Sequence, residues 1–406
     1  MANVLTNILP KLLARGLIVL RKRCVMPRLV NSDYSLDAAR KGSTIDVPIP
    51  VAVATEDVAP GIYGVTVGSA TPGLVQVPLN NWKQNTPIHL TDKDMAEIDA
   101  NDSFLPMQME EAVKALASDV NEDILHEYLG VYGYVGTAGT TPFGAGVGVS
   151  SATGVRKILN KQLCPLDSRR GVLDYDAEAA ALDLAAFSDA EKIMSAVVKM
   201  EGDIGRKFAI DWVADDDVPL HTAGTLETGG AVTATGTAGQ STVQINGESI
   251  NQGETLLVGD ILTFGTDPQT YVVKPGTHGV AGYSNSTGAN GGYTVPGTPY
   301  DLTAVAIAPA LKTSPSTAAV VLKASHRVNL VFHRDAIAFA MRSLDDANAI
   351  ARTISGGSQI LSMQDPQTGI VLRLEVSRQH KQTVWEYDLL WGAKLVRPEL
   401  AVRLAG

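Results

Sequence analysis

The chain has almost no cysteine. Two occur in 406 residues, Cys24 and Cys164, with no Cys-x-x-Cys and no neighbouring histidine pair. No disulfide framework and no zinc site can be read from them, and a reducing compartment is compatible. No run reaches the ~18 consecutive apolar residues of a membrane helix. Near the N-terminus the basic residues follow the apolar run 16–20, whereas a secretory signal has them first, and no small-residue cleavage pattern comes after it. The expectation is a soluble, cytoplasmically made protein with no membrane partner.

Catalytic signatures are missing as well. There is no His-Glu-x-x-His and no Gly-x-Ser-x-Gly, and the seven histidines (His89, His126, His221, His278, His326, His333, His380) are scattered. The glycine-rich stretch 133–151 has no Gly-Lys-Ser/Thr after a strand and does not read as a phosphate loop. The densest acidic group is Asp211, Asp215, Asp216, Asp217 and His221. Oxygen-rich clusters hold calcium or magnesium, but this spacing lacks the alternate positions and central glycine of a calcium loop, so a solvated turn or subunit contact is the better reading. No catalytic, cofactor-binding or metal-binding residue is nominated, and no enzyme is expected.

The most telling shortage is of charge. Residues 222–322 hold 16 of the 38 glycines but only eight charged residues: Glu227, Glu248, Glu254, Asp260, Asp267, Lys274, Asp301 and Lys312. Charged, helical text resumes on either side, as expected when a guest is inserted where the host leaves and returns at nearby surface points. Within the guest, 241–247, 254–265 and 269–274 read as short strands with tight turns, predicting a small β-barrel or sandwich.

What is present is an apolar fraction of 45%, which excludes overall disorder, and a net charge of −10 unevenly spread. Residues 1–41 carry eight basic groups (Lys11, Arg15, Arg21, Lys22, Arg23, Arg28, Arg40, Lys41) against Asp33 and Asp37, so the arm is about +6 and the remainder about −16. A basic arm on an acidic body points to a partner of different electrostatic character, or to packing on a neighbouring subunit. The run Arg21, Lys22, Arg23 has no interleaved aromatics and is not a specific nucleic-acid reader.

Along the chain, 3–29 predict a helical arm interrupted at Pro10. Residues 43–54 and 74–90 predict the two strands of a long projection around a Gly/Pro-rich tip at 55–75, with too little core to stand alone. A helix of about 24 residues follows, capped at Ser103, with Met109, Val113, Leu116, Val120 and Ile124 on one face and a stop at Gly130. Further helices are expected at 152–163, 176–186 and 188–203, with a strand at 170–175. Segment 326–344 reads as a strand running into a helix, and strands are expected at 370–378, 383–395 and 398–404. Trp385 and Trp391 are expected as core or interface anchors.

Three segments carry a resemblance: NLVFHRDAIAFAMRSL (329–344), WEYDLLWGAKLVRPELAVRL (385–404) and ETLLVGDILTF (254–264). Together with the order of elements, they resemble the major capsid (coat) protein of tailed bacteriophages, of the Hong Kong 97-type fold. The branch is the one typified by the coat protein of the Salmonella short-tailed phage, which carries an inserted β-barrel. The resemblance implies an α+β fold with an N-arm at 1–42, an E-loop at 43–90 and a P-domain with its spine helix at 91–135. It implies an A-domain at 136–221 and 323–406 and the insertion domain at 222–322. It also implies a virion location after assembly in the host cytoplasm. The implied partners are the chain itself in hexamers and pentamers, a scaffolding protein, a portal, a decoration protein and packaged double-stranded DNA held non-specifically. Candidate assembly contacts are Arg21, Lys22, Arg23, Glu227, Trp385 and Trp391.

There is one departure from the family pattern. The family's insertion has a long charged loop that meets its counterpart across a two-fold axis, but here 225–240 holds the single charge Glu227. That contact has either been lost or moved to 284–301. Two rival readings stand beside the shell: a surface or adhesin-like protein with an immunoglobulin-like guest, and an enzyme with a carbohydrate-binding insertion.

Overall fold

A computed structural model of the chain describes residues 8–33, 44–50, 72–93, 107–188, 204–226, 229–247, 253–275, 284–285, 292–294, 302–342, 358–364 and 369–406. The chain divides into two compact units, one of residues 1–120 with 337–397 and the other of 121–336 with 398–406.

The first unit opens with helix α1 (Ile8–Arg23), followed by the short α2 (Met26–Leu29). Pro10 lies in the first described turn of α1, and the residues before Ile8, which belong to the arm expected to be broken there, lie outside the described residues. Leu13 and Leu20 are buried along α1, while Ile18 is exposed.

Strands β1 (Thr44–Ile49) and β2 (Gly73–Pro78) form an antiparallel ribbon running from the pair Thr44–Pro78 to the pair Ile49–Gly73. Period-two alternation turns Ile45 and Val47 inward, against Val77, Leu79, Ala338, Ala340 and Val396. The return segment is not one strand. After Pro78 the chain leaves the ribbon, and β3 (Asn81–Gln84) and β4 (Ile88–Thr91) pair with β23 (Gln382–Leu395). Asn85 makes the break between them: its Oδ1 accepts from the Tyr387 N–H at 2.6 Å and its own N–H donates to the Tyr387 carbonyl at 3.1 Å. The tip expected at 55–75 lies largely outside the described residues.

Strand β23 organises this unit, pairing also with β20 (Ile337–Met341) and β22 (Val371–Gln379), which in turn pairs with β21 (Ser358–Gln364). The helix expected after the insertion is therefore corrected. Residues 326–333 and 337–341 are two strands, β19 (His326–His333) and β20, joined by a 3₁₀ turn at Arg334–Ala336. Ala and Met favour helix, but all five residues of β20 are buried, and a short apolar run covered on both faces suits a buried strand, here at the end of the order β20-β23-β22-β21.

Helix α3 (Met107–His126) belongs to the first unit through Val120 and to the second from Asn121. Met109, Val113, Leu116, Val120 and Ile124 are all buried along it, as the spacing predicts, and a 3₁₀ turn at Glu127–Gly130 ends it. The proposed cap Ser103 lies outside the described residues.

In the second unit, β5 (Gly133–Gly136), β24 (Ala401–Ala405), β19, β6 (Arg169–Leu173), β8 (Ile210–Ala214) and β7 (Gly205–Lys207) lie side by side in that order. Short β9 (Leu220–His221) pairs with the start of β19. Helix α4 (Ser150–Lys161) buries Ala152, Val155 and Leu159. Helix α5 (Tyr175–Asp183) is capped by Asp174, whose Oδ1 accepts from the Ala177 N–H at 3.0 Å, and α6 (Ala185–Ser188) follows. Most of the helix expected at 188–203 lies outside the described residues.

Between β9 and β19 the chain makes the excursion its composition announces. Strands β10 (Gly229–Thr235), β11 (Thr242–Gly247), β17 (Leu302–Ala308), β14 (Tyr271–Val273), β13 (Ile261–Phe264) and β18 (Ala318–Leu322) close into a barrel in that order. A closed barrel leaves no open edge. Val232, Val243, Ile245, Leu262, Phe264, Tyr271, Val305 and Val320 are among the residues of its core. Strands β12 (Thr255–Leu256), β15 (Ser284–Asn285) and β16 (Tyr293–Thr294) form a small sheet of their own.

Candidate functional site

The strongest constellation of polar side chains lies where the barrel meets the mixed sheet of the second unit. Tight turns set it up. The turn before β13 presents Gly259 and Asp260, and its backbone is held by Gly259 N–H to Val273 O at 3.0 Å and Asp260 N–H to Leu257 O at 3.1 Å. Gly259 has φ +93°, a conformation that favours glycine, and a Cβ there would also press on the Leu129 side chain, 2.5 Å from its Cδ2.

Asp260 is fully buried and well supplied with donors. Its Oδ2 accepts from the Leu257 N–H at 2.7 Å and the Gly224 N–H at 3.1 Å, and its Oδ1 lies 2.9 Å from His221 Nε2. A carboxylate only accepts, so His221 carries its hydrogen on Nε2. Its Nδ1 then accepts from the Tyr128 hydroxyl at 3.1 Å. Arg403, buried in β24, stacks over the Tyr128 ring at 4.9 Å and donates from Nη1 to the Gly259 carbonyl at 2.8 Å. His326 lies beside this chain of groups, its ring 5.4 Å from His221 and edge-on to Tyr134 at 5.2 Å. The His326 Nδ1–H donates to the Ala324 carbonyl at 2.8 Å, which leaves Nε2 as a buried acceptor with no partner.

Burial perturbs these groups. It pulls His326 down to about 4; the Ala324 carbonyl opposes the shift, and Arg403 and His221 add to it. Burial also brings Arg403 down to about 10, still cationic at neutral pH, and raises Tyr128 and Tyr134. Apolar contacts flank the polar ones: Ile261 and Val272 of the barrel pack with Tyr132, Tyr134 and Ala405. Tyr128, His221 and Asp260 line up in one hydrogen-bonded row, and all three are buried, so the row ties the turn before β13 to β9 and to the 3₁₀ turn after α3.

The structure disperses the residues singled out from sequence. His221 does not join the acidic group; it is committed to Asp260 instead. Asp215 and Asp217 both accept from Asn121 Nδ2, at 3.3 and 3.2 Å, and Asp211 faces Arg206 at 3.7 Å. Among the described residues no group of three His, Cys, Asp or Glu side chains is placed to hold a metal. Arg21, Lys22 and Arg23 end α1, and Glu227 lies outside the described residues. Trp385 and Trp391 are 1% and 0% exposed within the first unit.

Sequence reading missed Tyr128, Arg403 and the pairing of His221 with Asp260. The Gly-Asp turn was visible at 259–260, but its side-chain partners His221 and Arg403 lie 39 and 144 residues away in the chain. No helix of the described residues is long and apolar enough to cross a membrane.

No protein-family model matches the chain, and no curated protein matches it in sequence. Solved structures resemble it at low identity. One from Mycobacterium phage Che8 is 12% identical, with 94% of this chain and 90% of that chain covered and a TM-score of 0.48. The capsid structure of the cyanophage P-SCSP1u is 10% identical, with 89% and 83% covered and a TM-score of 0.43. The mature capsid of bacteriophage PhiM1 is 9% identical, with 90% and 82% covered and a TM-score of 0.41. Likenesses this loose decide neither the fold nor the function of the chain, which is similar to each of them only in the general run of its backbone.

Proposed function

We propose that this chain is a structural shell protein, the major capsid protein of a tailed phage with the Hong Kong 97-type fold. The observation that carries the reading is how two of its three resembling segments lie. Segments 329–344 and 385–404 run beside each other twice, as β19 against β24 and as β20 against β23. The third segment, 254–264, supplies the Gly259–Asp260 turn that seats the inserted barrel.

In this reading the N-arm is 1–42, the E-loop 43–90, the P-domain 91–135, the A-domain 136–221 with 323–406, and the insertion domain 222–322. A closed shell needs many modest interfaces that sum to stability. A basic arm and a projecting ribbon offer surface to neighbours that a compact domain cannot. Copies would meet as hexamers and pentamers, with a scaffolding protein during assembly and a portal and decoration protein in the finished head. The acidic body suits a container, since a basic lining would hold DNA through counterion release and hinder its exit. Electron microscopy of the purified chain, alone and with a co-expressed scaffolding protein, tests this. Closed shells are expected, and a uniform monomer or small discrete oligomer under both conditions overturns it.

A further inference from the structure

The buried cluster occupies a special point in the chain. His221 is the last residue of β9, before the barrel, and His326 is the first residue of β19, after it; the two are paired partners. Both covalent connections of the barrel to the rest of the second unit therefore pass through this pair. The barrel's own side of the cluster is Asp260 and the Gly259 carbonyl, and the other side is Tyr128, His221 and Arg403.

We propose that the cluster is an acid-sensitive latch on the stalk of the barrel: with His326 neutral it clamps the barrel down, and protonating His326 frees the stalk while the barrel keeps its own core.

The argument is one of charge balance in a dry site. With His326 neutral, the Asp260 carboxylate and the Arg403 guanidinium are buried beside it, joined through Gly259 and Tyr128. Every acceptor on Asp260 is already engaged by donors. A proton added to His326 goes to Nε2, which faces no acceptor, and it adds a second cation near Arg403. The groups facing the pair are Asp260 from the turn before β13, Tyr128 from the 3₁₀ turn and Arg403 from β24. Tyr134 of β5 adds its ring, with the Lys323 ammonium 5.9 Å above it, and His126 meets Tyr128 edge-on at 5.8 Å. Asp260 is the only anion among them. An uncompensated buried charge is relieved by opening the site to water.

The sign follows directly. The folded-state value of His326 lies below its ordinary one, so the open stalk binds the proton more tightly than the closed stalk. Closure is fully favoured above pH 6.5 and weakens as the pH falls from 6.5 to about 4, by up to roughly 300-fold. The barrel core, built on Val232, Ile245, Phe264, Val305 and Val320, contains no histidine and does not share this response.

Hydrogen exchange on the unassembled full-length chain between pH 7.5 and 4.5, corrected for intrinsic rates, tests the latch and does not depend on shell formation. Peptides over 219–226 and 323–328 are expected to lose protection in mild acid while those over 242–247 and 302–308 keep theirs. His326→Asn, which retains a donor for the Ala324 carbonyl but takes no second proton, is expected to flatten the response, with His326→Gln as the substitute should that variant not fold. Equal stalk protection at both pH values in the wild type overturns the proposal, and this arm needs no variant. So does a wild-type acid response in the variant, or barrel strands that lose protection together with the stalk.

Discussion

His221 and His326 face each other as paired residues of β9 and β19, their ring centroids 5.4 Å apart, although 222–325 separate them in the chain. The host strands thus close on themselves at the foot of the barrel. This is the geometry that lets an insertion be carried without disturbing the sheet around it: the ends of the excursion are already neighbours, so the loop-closure cost falls on the guest.

Excising 222–322 and bridging the gap with a short Gly-Ser linker should therefore leave a chain that folds but is less stable. Ile261 and Val272 would no longer cover Tyr132, Tyr134 and Ala405. Two buried aliphatic side chains at ~1.5–3 kcal/mol each put the loss at roughly 3–6 kcal/mol. Urea unfolding of the two chains measures it, and undiminished stability would show that the barrel contributes nothing to its host. The isolated segment should give a β-type circular dichroism spectrum with its own thermal transition.

Gly259 and Gly253 form a matched pair for testing how the barrel is seated. Both have positive φ, +93° and +90°, but only at Gly259 would a Cβ meet other atoms, Leu129 Cδ2 at 2.5 Å and His221 Cε1 at 3.3 Å. Alanine at either position costs backbone strain of about 1–3 kcal/mol. At Gly259 a further ~1–3 kcal/mol of overpacking is expected. Similar unfolding free energies for Gly253→Ala and Gly259→Ala would mean that the turn is not pressed against the 3₁₀ turn after α3.

Asp260→Ala should rank among the most damaging single changes in the second unit. It removes the acceptor for His221 Nε2–H, Leu257 N–H and Gly224 N–H and leaves Arg403 as an uncompensated buried cation. Breaking one side of a buried charge pair costs about 3–5 kcal/mol. Arg403→Met combined with Asp260→Ala should cost less than the two single losses added together, because the double variant buries no lone charge. Additive losses measured in denaturant would place the two residues in separate networks.

If the chain builds a shell, replacing Arg21, Lys22 and Arg23 by Ser should slow assembly and reduce its dependence on salt, while the unfolding transition stays put. Exposed charges act over ~8–10 Å at ordinary ionic strength, so an electrostatic arm responds to added salt. Light-scattering kinetics at two salt concentrations provide the reading. Unchanged rates with an unchanged salt response would leave the arm working by apolar packing through exposed residues such as Ile18.

Much of the architecture was legible in the residues alone. The spacing of Met109, Val113, Leu116, Val120 and Ile124 marks one helical face, and all five are buried. The charge-poor, glycine-rich text of 222–322 delimits a guest, and its alternating runs become strands of a closed barrel. These are local signals: period, turn chemistry and composition act within a few residues of one another. Two readings failed where tertiary packing overrode local preference. Residues 337–341 have helix-forming text but are covered on both faces as a strand, and 81–91 left the ribbon for the edge of β23. The junction was decided by the tertiary structure alone. Tyr128, His221, Asp260, His326 and Arg403 lie on five separate segments, and nothing in the text around any one of them points to the others. What makes them a cluster is that burial removes water, so most of their polar atoms meet side-chain or backbone groups that only the folded chain brings within hydrogen-bond distance, while His326 Nε2, Arg403 Nε and Arg403 Nη2 meet none among the described residues.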